Sequence, residues 1–405
     1  MLILKIAFRN IFRQRRRSAF TGLMMFVVTT LFSFFIGVHG GTYQGVIDMF
    51  TRAKTGHVQI HKAGYLDKPS IYKNINNYEM ITKELDKIPI IESWTPRVYA
   101  NVLVFVDTKT TGAKLIGINP EKEMSVTRFK EKIKKGSMFS TEPSKEVIIG
   151  APLAKVLKAE IGSELIIITQ AADGSIANGI FKIIGFAGRD DDPSERGSVY
   201  INIKTAQEFL ELGNRIHEIA ISIKDQEKSR KTALLIRDLN LDKTLEVSPW
   251  EEIEKDFYKA MQTDKKRSVI FFTIISLIVA VGILNTVLMT ILERTREFGV
   301  LKALGTRPYH IFTVIVLETG ILSIISAILG ALAGMAINYY LSRHGIKYPT
   351  PIEFQGVLFT EMRCIINAES IIKPMILTIL TAVIVSIYPA IRAARTIPVN
   401  ALRSN

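Results

Sequence analysis

Residues Glu293–Gly305, which read ERTREFGVLKALG, decide how this chain is organised. The stretch is short, charged and polar, and it lies between two apolar runs, Ser268–Leu292 and Ile311–Leu341. Each run is long enough to cross a lipid bilayer as an α-helix, which needs roughly 20 residues. A linker of this length is too short to be a domain. It is therefore predicted to be a helix that lies at the membrane surface.

The linker has the pattern of a short amphipathic helix. Phe298, Leu301 and Leu304 recur at i, i+3 and i+6 and are predicted to share one face. Gly305 is placed to end the helix. A charged helix fixed between two membrane spans offers a surface on which another protein can act. Together with Phe298, Leu304 and Gly305, the candidates for that contact are Glu293, Arg294, Thr295, Arg296, Glu297, Gly299, Lys302 and Ala303.

The net charge of +14 is concentrated beside the apolar runs. Residues 42–267 carry 35 Lys and Arg against 32 Asp and Glu, whereas residues 1–17 carry six basic residues and no acid. Residues 292–310 carry four basic residues against two acids. Basic residues next to spans are typical of cytoplasmic segments. The distribution predicts that both termini and the linker are cytoplasmic, and it argues against nucleic acid as a partner.

The N-terminal segment, residues 1–17, predicts an amphipathic elbow helix on anionic membrane lipids. The apolar run that follows is too long for the core of a signal peptide and lacks its cleavage pattern. It is predicted to be a retained first span at residues 18–41, and a cleaved signal peptide is the alternative.

Residues 42–267 predict a large α+β domain outside the membrane, of about 225 residues and in two lobes. Both ends of this sequence are expected to build the part nearest the membrane. The loop Gly188–Gly197 (GRDDDPSERG) is interpreted as solvated, because its spacing does not fit an EF-hand. Strands are predicted from short alternating or β-branched runs, at His57–His61, Val98–Val106, Lys114–Ile118, Glu146–Ile149, Glu164–Thr169, Phe181–Phe186, Ser198–Ile203 and Glu218–Ile223.

The rest of the chain is predicted to add three spans. The second is residues 268–292, followed by the linker at 293–310. The third is 311–341, where Gly330, Ala331, Ala333, Gly334 and Ala336 mark a close-packing face. An external loop follows at 342–371, then a fourth span at 372–391 and a basic cytoplasmic tail at 392–405.

Catalytic motifs are absent from this sequence. It has no G-x-x-x-x-G-K-[ST] motif for ATP, no G-x-S-x-G and no H-E-x-x-H. The single cysteine, Cys364, permits no intrachain disulfide. Glu318 is the one acid within a span; it is interpreted as paired with a nearby basic residue, with a proton or ion site as the alternative. Asn285 is predicted to hydrogen-bond across helices.

Three segments resemble the MacB/FtsX/LolC family of ABC-transporter permeases. They are IAFRNIFRQRRRSAF at 6–20, VGILNTVLMTILERTREFGVLKALGTRP at 281–308 and YPAIRAARTIPVNALR at 388–403. GHVQIHKAGYLDKP at 56–69 is most similar to the lipoprotein-releasing LolC/LolE branch. The resemblance implies four spans with a MacB-like periplasmic α+β domain inserted between the first and second, in a bacterial inner membrane.

The resemblance also implies partners. Two copies of a cytosolic P-loop ATPase, which holds ATP and Mg, would dock on the linker as a coupling helix, so this chain is expected to be non-catalytic, without a cofactor or metal of its own. Arg294, Glu297 and Gly299 are the leading contacts. A second permease subunit, identical or related, would complete the transporter, and a lipoprotein would be its substrate.

Two further sites follow from the resemblance. Acyl chains would enter a cavity between the first and second spans of two related subunits, for which the candidates in this chain are Met25, Phe32, Phe35, Ile36, Ile274 and Ile278. A periplasmic lipoprotein carrier would dock on a hairpin at Gln170–Gly179, with the candidates Ala171, Asp173, Ile176 and Asn178. That hairpin lacks the apolar, proline-containing tip of a docking hook, so a partner subunit is the alternative carrier site.

Lipoprotein release is the function that the resemblance implies. Two alternatives remain open. One is MacB-like efflux of small molecules or peptides from the periplasm. The other is FtsX-like signalling to a cell-wall hydrolase, for which the outer domain is larger than expected.

Overall fold

The computed structural model describes residues 2–13, 15–239, 242–354 and 357–397, with the backbone alone at 2–5 and 351–360. The tail predicted at 392–405 therefore lies partly outside the described residues. The chain forms two compact units: a helical unit of Met1–Tyr43, Met261–Lys347 and Glu361–Asn405, and an α+β unit of Gln44–Ala260 and Tyr348–Thr360.

The helices are α1 Leu2–Arg13, α2 Arg15–Phe50, α3 Tyr78–Leu85, α4 Pro120–Val126, α5 Phe129–Lys132, α6 Ala151–Leu157, α7 Ile203–Phe209, α8 Ser229–Asp238, α9 Trp250–Ile253, α10 Lys255–Glu293, α11 Thr295–Ala303, α12 Pro308–His344 and α13 Ala368–Ala394. The strands are β1 Val58–Lys62, β2 Ile91–Val106, β3 Lys109–Ile118, β4 Ile133–Gly136, β5 Glu146–Gly150, β6 Glu164–Gln170, β7 Ile176–Ala187, β8 Ser198–Asn202, β9 Glu218–Ile223, β10 Leu245–Pro249, β11 Ile346–Phe354 and β12 Val357–Met362.

Within the described part of the chain, four helical segments are long and apolar enough to cross a membrane, as the sequence predicts. They are Arg15–Thr55, which ends in a π-helical turn, Lys255–Glu293, Pro308–His344 and Ala368–Ala394. Each extends beyond the apolar run that identifies it, because flanking polar residues continue the helical hydrogen bonding. The segment predicted as a loop at 342–371 contains the strand pair β11–β12.

Small residues hold α12 against α2. A Cβ added at Gly330 would lie 2.6 Å from the Phe26 carbonyl oxygen, and one at Gly334 would lie 2.4 Å from the Ser33 Cβ. The Asn338 amide donates to the Ser33 carbonyl oxygen at 2.9 Å. The predicted close-packing face is confirmed at Gly330, Ala331 and Gly334, whereas Ala333 is half-buried and Ala336 is exposed.

The cross-helix amide is therefore Asn338 on α12. Asn285 on α10, which was predicted to have this role, is exposed and forms no hydrogen bond among the described residues of the chain. The helix rotation that buries Ile283 and Val287 turns Asn285 away from the other helices of this chain.

The α+β unit is organised by one ten-stranded sheet of order β10-β1-β9-β2-β3-β8-β5-β7-β4, with β6 pairing with β2 and β7. The β3–β8 and β5–β7 pairs are parallel and the other pairs are antiparallel. All eight predicted strand segments lie in or overlap observed strands. Pairing of β1 with β10 joins segments near the two ends of the domain sequence, whereas their position nearest the membrane stays a prediction.

The division of the α+β unit into two lobes stays a prediction. The long strand β2 connects the parts of its sheet: it pairs with β9 at its start, with β6 near its end and with β3 along much of its length. The solvated-loop prediction for Gly188–Gly197 is wrong at three positions, because Gly188, Asp192 and Glu195 are buried. Asp192 caps the turn at Pro193–Glu195, and Glu195 is buried.

The close contact of α12 with α2 generates a stability prediction. Gly334→Leu should lower the thermal midpoint of the detergent-solubilised protein, since overpacking costs about 1–3 kcal/mol. Ala336→Leu, two residues away on the exposed side, should change it little. Thermal aggregation followed by size-exclusion chromatography measures both variants. Equal midpoints would contradict the packing described here.

Candidate functional site

The linker forms the helix α11, and Gly305 ends it. Gly305 has φ of +90°, a left-handed conformation that suits glycine. Its N–H donates to the Lys302 carbonyl oxygen and the Thr306 N–H donates to the Leu301 carbonyl oxygen, both at 3.0 Å. These two bonds are those of a Schellman motif. The predicted helix and its end are confirmed.

Arg294 lies between α10 and α11, and its side chain is almost completely buried, with the whole residue 7% exposed. Its guanidinium reaches Glu318 of α12 and Glu297 of α11, each at 3.1 Å. The same group lies over the Phe298 ring, 5.1 Å from its centroid. Glu318 is therefore part of an ion pair, as the sequence interpretation held.

Further polar contacts hold the linker to neighbouring segments of the helical unit. Arg13 of α1 pairs with Glu297, and Arg17 of α2 pairs with Glu293. The Lys302 ammonium donates to the Thr396 carbonyl oxygen at 2.8 Å. Because these contacts come from α1, α2, α12 and the segment after α13, the orientation of α11 is fixed from several sides.

Burial divides the predicted coupling residues into three sets: Thr295, Glu297 and Lys302 are half-buried, and the others, Glu293 among the exposed ones, are either buried or exposed. Arg294, Phe298 and Gly299 are buried, and Phe298 packs with Ile291, Ile311 and Ala390. Phe298, Leu301 and Leu304 do not form one buried face, because Leu301 is exposed and Leu304 is 79% exposed. The exposed coupling surface consists of Arg296, Val300, Leu301, Ala303, Leu304, Gly305, Arg307 and Tyr309.

The residues predicted for an acyl-chain cavity between two subunits lie at different depths within this chain, and the cavity itself stays a prediction. Met25 and Phe32 are buried between helices, Ile36 is half-buried, and Ile274 and Ile278 are exposed on α10. Phe35 lines a cavity of about 280 Å³ whose other walls are Val38, His39, Arg267, Ser268, Phe271 and Phe272.

The predicted carrier hairpin is β6–β7, with a turn that packs against the domain. Ala171 is buried, and the Ala172 N–H donates to the Leu210 carbonyl oxygen at 2.9 Å. Asp173 accepts hydrogen bonds from the Ser175 N–H and hydroxyl. Ile176 is 78% exposed and Asn178 is exposed. The most exposed apolar side chain of this set is therefore Ile176, and hydrogen bonds fix the turn at the tip of the hairpin.

A buried charge cluster in the α+β unit escaped the sequence analysis. Arg97 pairs with Glu123 through Nη2 at 2.6 Å and with Glu218 through Nη1 at 2.7 Å. His61 lies 3.1 Å from the other Glu218 oxygen. Burial would raise the pKa of Glu218, but Arg97 and His61 outweigh it and lower that pKa to about 2. These partners are distant in sequence, and only a buried arginine in a strand pattern hinted at them.

Two histidines in the same unit are held neutral. Burial lowers the pKa of His57 and of His217 to about 4. The His217 Nδ1 accepts from the Tyr99 N–H at 3.0 Å, and the His57 Nδ1 accepts from the Ile223 N–H at 3.1 Å. A proton on either Nδ1 would point at the backbone N–H that now donates to that nitrogen, and the hydrogen bond would be lost.

Comparison with known sequences defines the class. A profile described as the MacB-like periplasmic core domain matches residues 18–239, and one described as FtsX-like permease C-terminal matches residues 269–398. The first match covers more than half of the chain. The chain therefore belongs to the MacB/FtsX/LolC family of ABC-transporter permeases.

Individual relatives are distant. The chain is 20% identical over 304 residues to the lipoprotein-releasing system transmembrane protein LolC of Neisseria meningitidis, covering 72% of this chain and 73% of that protein. It is 28% identical over 231 residues to the macrolide export ATP-binding/permease protein MacB of Campylobacter jejuni, covering 55% of this chain and 34% of that protein. The crystal structure of the periplasmic region of MacB from Actinobacillus actinomycetemcomitans aligns at 18% identity with a TM-score of 0.37. The alignment covers 52% of this chain and 95% of that structure.

The ion pair between the buried Arg294 and the partly buried Glu318 generates a second prediction. Arg294→Met should destabilise the helical unit by up to about 3–5 kcal/mol, because it leaves the partly buried Glu318 without its partner. The double variant Arg294→Met with Glu318→Gln should recover part of that loss, since no unpaired charge then remains. Thermal midpoints of the two single variants and the double variant in detergent measure this. Purely additive losses would show that the two charges do not interact.

The neutral histidines generate a pH prediction. Between pH 6.5 and about pH 4 the unfolded state binds protons at His57 and His217 that the folded state does not. The stability of the α+β unit should therefore fall as the pH drops through this window, by on the order of 1–3 kcal/mol per histidine. Glu218, shifted from 4.5 to about 2, adds a further loss below pH 4.5.

Fluorescence of Trp94 and Trp250 measures this, because both tryptophans of the chain lie in the α+β unit. His217→Asn keeps an acceptor for the Tyr99 N–H and should weaken the pH dependence of the thermal midpoint. His344→Asn, at an exposed position of α12, is the matched control. An unchanged slope in His217→Asn would refute the assignment.

Proposed function

We propose that the chain is the permease subunit of an ABC transporter that extracts lipoproteins from the inner membrane, driven by a separate ATPase. The observation that carries this proposal is the match to LolC of the lipoprotein-releasing system over 72% of the chain. The segment GHVQIHKAGYLDKP at 56–69 supports the same branch. In this proposal, two ATPase copies bind ATP and Mg, and a second permease subunit, identical or related, completes the transporter.

The proposed orientation has both termini and α11 in the cytoplasm, with the α+β unit in the periplasm between the first two spans. Its support is the charge distribution, in which basic residues cluster at 1–17 and around the linker. In this orientation the docking site that we propose for the ATPase is α11, the helix that connects α10 to α12.

We assign docking to the exposed coupling surface defined above. Leu304 is its most exposed apolar side chain, and the neighbouring Arg296 and Arg307 are exposed cations. An apolar side chain surrounded by charges is the usual composition of a protein contact. Arg294, Glu297, Phe298 and Gly299 act in this proposal by orienting α11 and resisting its displacement. A displacement of α11 by the ATPase would be transmitted to α12 through the ion pairs of Arg294 with Glu297 and Glu318.

Substrate passage is proposed next to α2 and α10. The cavity at Phe35 combines aromatic walls with the polar side chains His39 and Arg267, which suits a chain with an apolar tail and a polar head. Ile274 and Ile278 remain exposed for lipid, acyl chains or the second subunit. If this chain receives the carrier, the contact we assign is Ile176, beside the closed hairpin tip.

Efflux of small molecules or peptides is the second candidate. Its support is the match to MacB, named a macrolide export protein, at the higher identity of 28% but over less of the chain. Both candidates use the same coupling surface and differ in cargo, so one set of variants tests both.

The proposal predicts the effect of Leu304→Asp in the native host. The variant should reach the membrane in normal amount, because Leu304 packs little against its own chain. It should lose the ATPase on purification, and lipoproteins destined for the outer membrane should accumulate in the inner membrane. Leu234→Asp, at an exposed leucine of α8, is the matched control and should behave as wild type.

Membrane fractionation with lipoprotein labelling, and mass spectrometry of the purified complex, give the readouts. Retained ATPase in Leu304→Asp would refute the docking surface alone. A lost ATPase with normal lipoprotein sorting and new macrolide or peptide sensitivity would refute lipoprotein release and establish efflux.

A further inference from the structure

A cavity of about 490 Å³ lies within the α+β unit, far in sequence from α11. Its floor is one face of β2, β3 and β8, where Tyr99, Ile116 and Tyr200 lie side by side in register. Lys132 of α5 and Glu195 of the short turn before β8 also line it. This volume is in the range of small-molecule sites.

The carboxylates at this cavity have no free oxygen for a cationic ligand. Both Glu123 oxygens accept from Arg97, at 3.0 and 2.6 Å, and also from Thr95 and Thr127. One Glu195 oxygen accepts from the Lys132 ammonium at 3.1 Å, and the other accepts from the Tyr200 hydroxyl at 2.7 Å. The carboxylate charge is therefore already used within the chain.

The unused groups of the cavity are hydrogen-bond donors. Among the described residues, the Lys54 and Lys114 ammonium groups form no ion pair, and the Asn101 side-chain amide forms no hydrogen bond. Lys114 instead lies over the Tyr99 ring, 4.2 Å from its centroid. Partial burial lowers the pKa of Lys114 although Glu218 opposes this, as expected for an ammonium without a close counter-ion.

We propose that this cavity binds a small soluble organic anion through a carboxylate or phosphate group. Lys54, Lys114 and Asn101 donate to its oxygens, forming charge-assisted hydrogen bonds. The apolar body of the ligand contacts apolar side chains of the same cavity, which are Val102, Ile116, Ile118 and Phe129. The site is separate from ATPase docking and from the membrane cargo, so it stands whether the cargo is a lipoprotein or not.

The probes are hexanoate and hexyl phosphate, with hexyltrimethylammonium as the cation of matched chain length. Full-length protein in nanodiscs is titrated by calorimetry, and Trp94 and Trp250 fluorescence follows the thermal midpoint of the α+β unit. At least one anion should bind with a Kd of about 1 mM or tighter and raise the midpoint, and the cation should do neither. Absence of anion binding in this range would overturn the proposal.

Lys114→Met and Lys54→Met should each weaken anion binding roughly tenfold, the loss expected for one charge-assisted hydrogen bond. Neither lysine is in an ion pair, so both variants should fold with an unchanged midpoint in the absence of ligand. Lys182→Met, on an exposed strand position outside the cavity, is the matched control. Equal affinity in all three variants would show that the anions bind elsewhere.

A short-chain phosphatidylglycerol, dihexanoyl in both chains, tests the source of the anion. Binding of this lipid through Lys114, with no binding of the two soluble probes, would overturn the assignment to a soluble ligand and indicate a lipid headgroup site.

Discussion

The helical unit depends on the burial of one charge, that of Arg294. A guanidinium withdrawn from water is tolerated only with paired charges around it, and Glu318 and Glu297 supply them. This requirement fixes the end of α10, the start of α11 and the position of α12 relative to each other. Arg13 extends the same ionic network to α1 through Glu297, and a separate pair joins Arg17 of α2 to Glu293 at the end of α10. The linker is therefore a fixed part of the unit, which is the property needed to transmit an applied force.

Close packing is the second constraint on the helices. Without a hydrophobic driving force between helices in lipid, association depends on van der Waals contact and interhelical hydrogen bonds. Gly330 and Gly334 let α12 approach α2 closely, and at that distance the amide of Asn338 donates to the Ser33 carbonyl oxygen of α2. The large apolar side chains that remain exposed on α10, such as Ile274 and Ile278, are then available for lipid or for a second subunit.

The α+β unit uses buried charge in a different way. Arg97, Glu123 and Glu218 satisfy one another inside a sheet, and His57 and His217 are buried as neutral acceptors. These groups make the unit sensitive to acid, since protons bind the unfolded chain first. They also determine the chemistry of the adjacent cavity: once the carboxylates are saturated, the donors of Lys54 and Lys114 are what remains for a ligand.

The sequence by itself determined the four apolar helices, eight of the ten strands of the large sheet and the end of α11 at Gly305. These features follow from local patterns of hydrophobicity and from the backbone freedom of glycine. It also suggested that Glu318 is paired. Only the tertiary structure decided that Arg294 and Phe298 face inward while Leu304 faces outward, that Asn338 and not Asn285 crosses between helices, and that Glu195 is buried in its loop. The physical reason is that helix rotation and ion pairing depend on neighbours distant in sequence: the spacing of Phe298, Leu301 and Leu304 describes a face, but the packing of α10, α12 and α13 selects which side is covered.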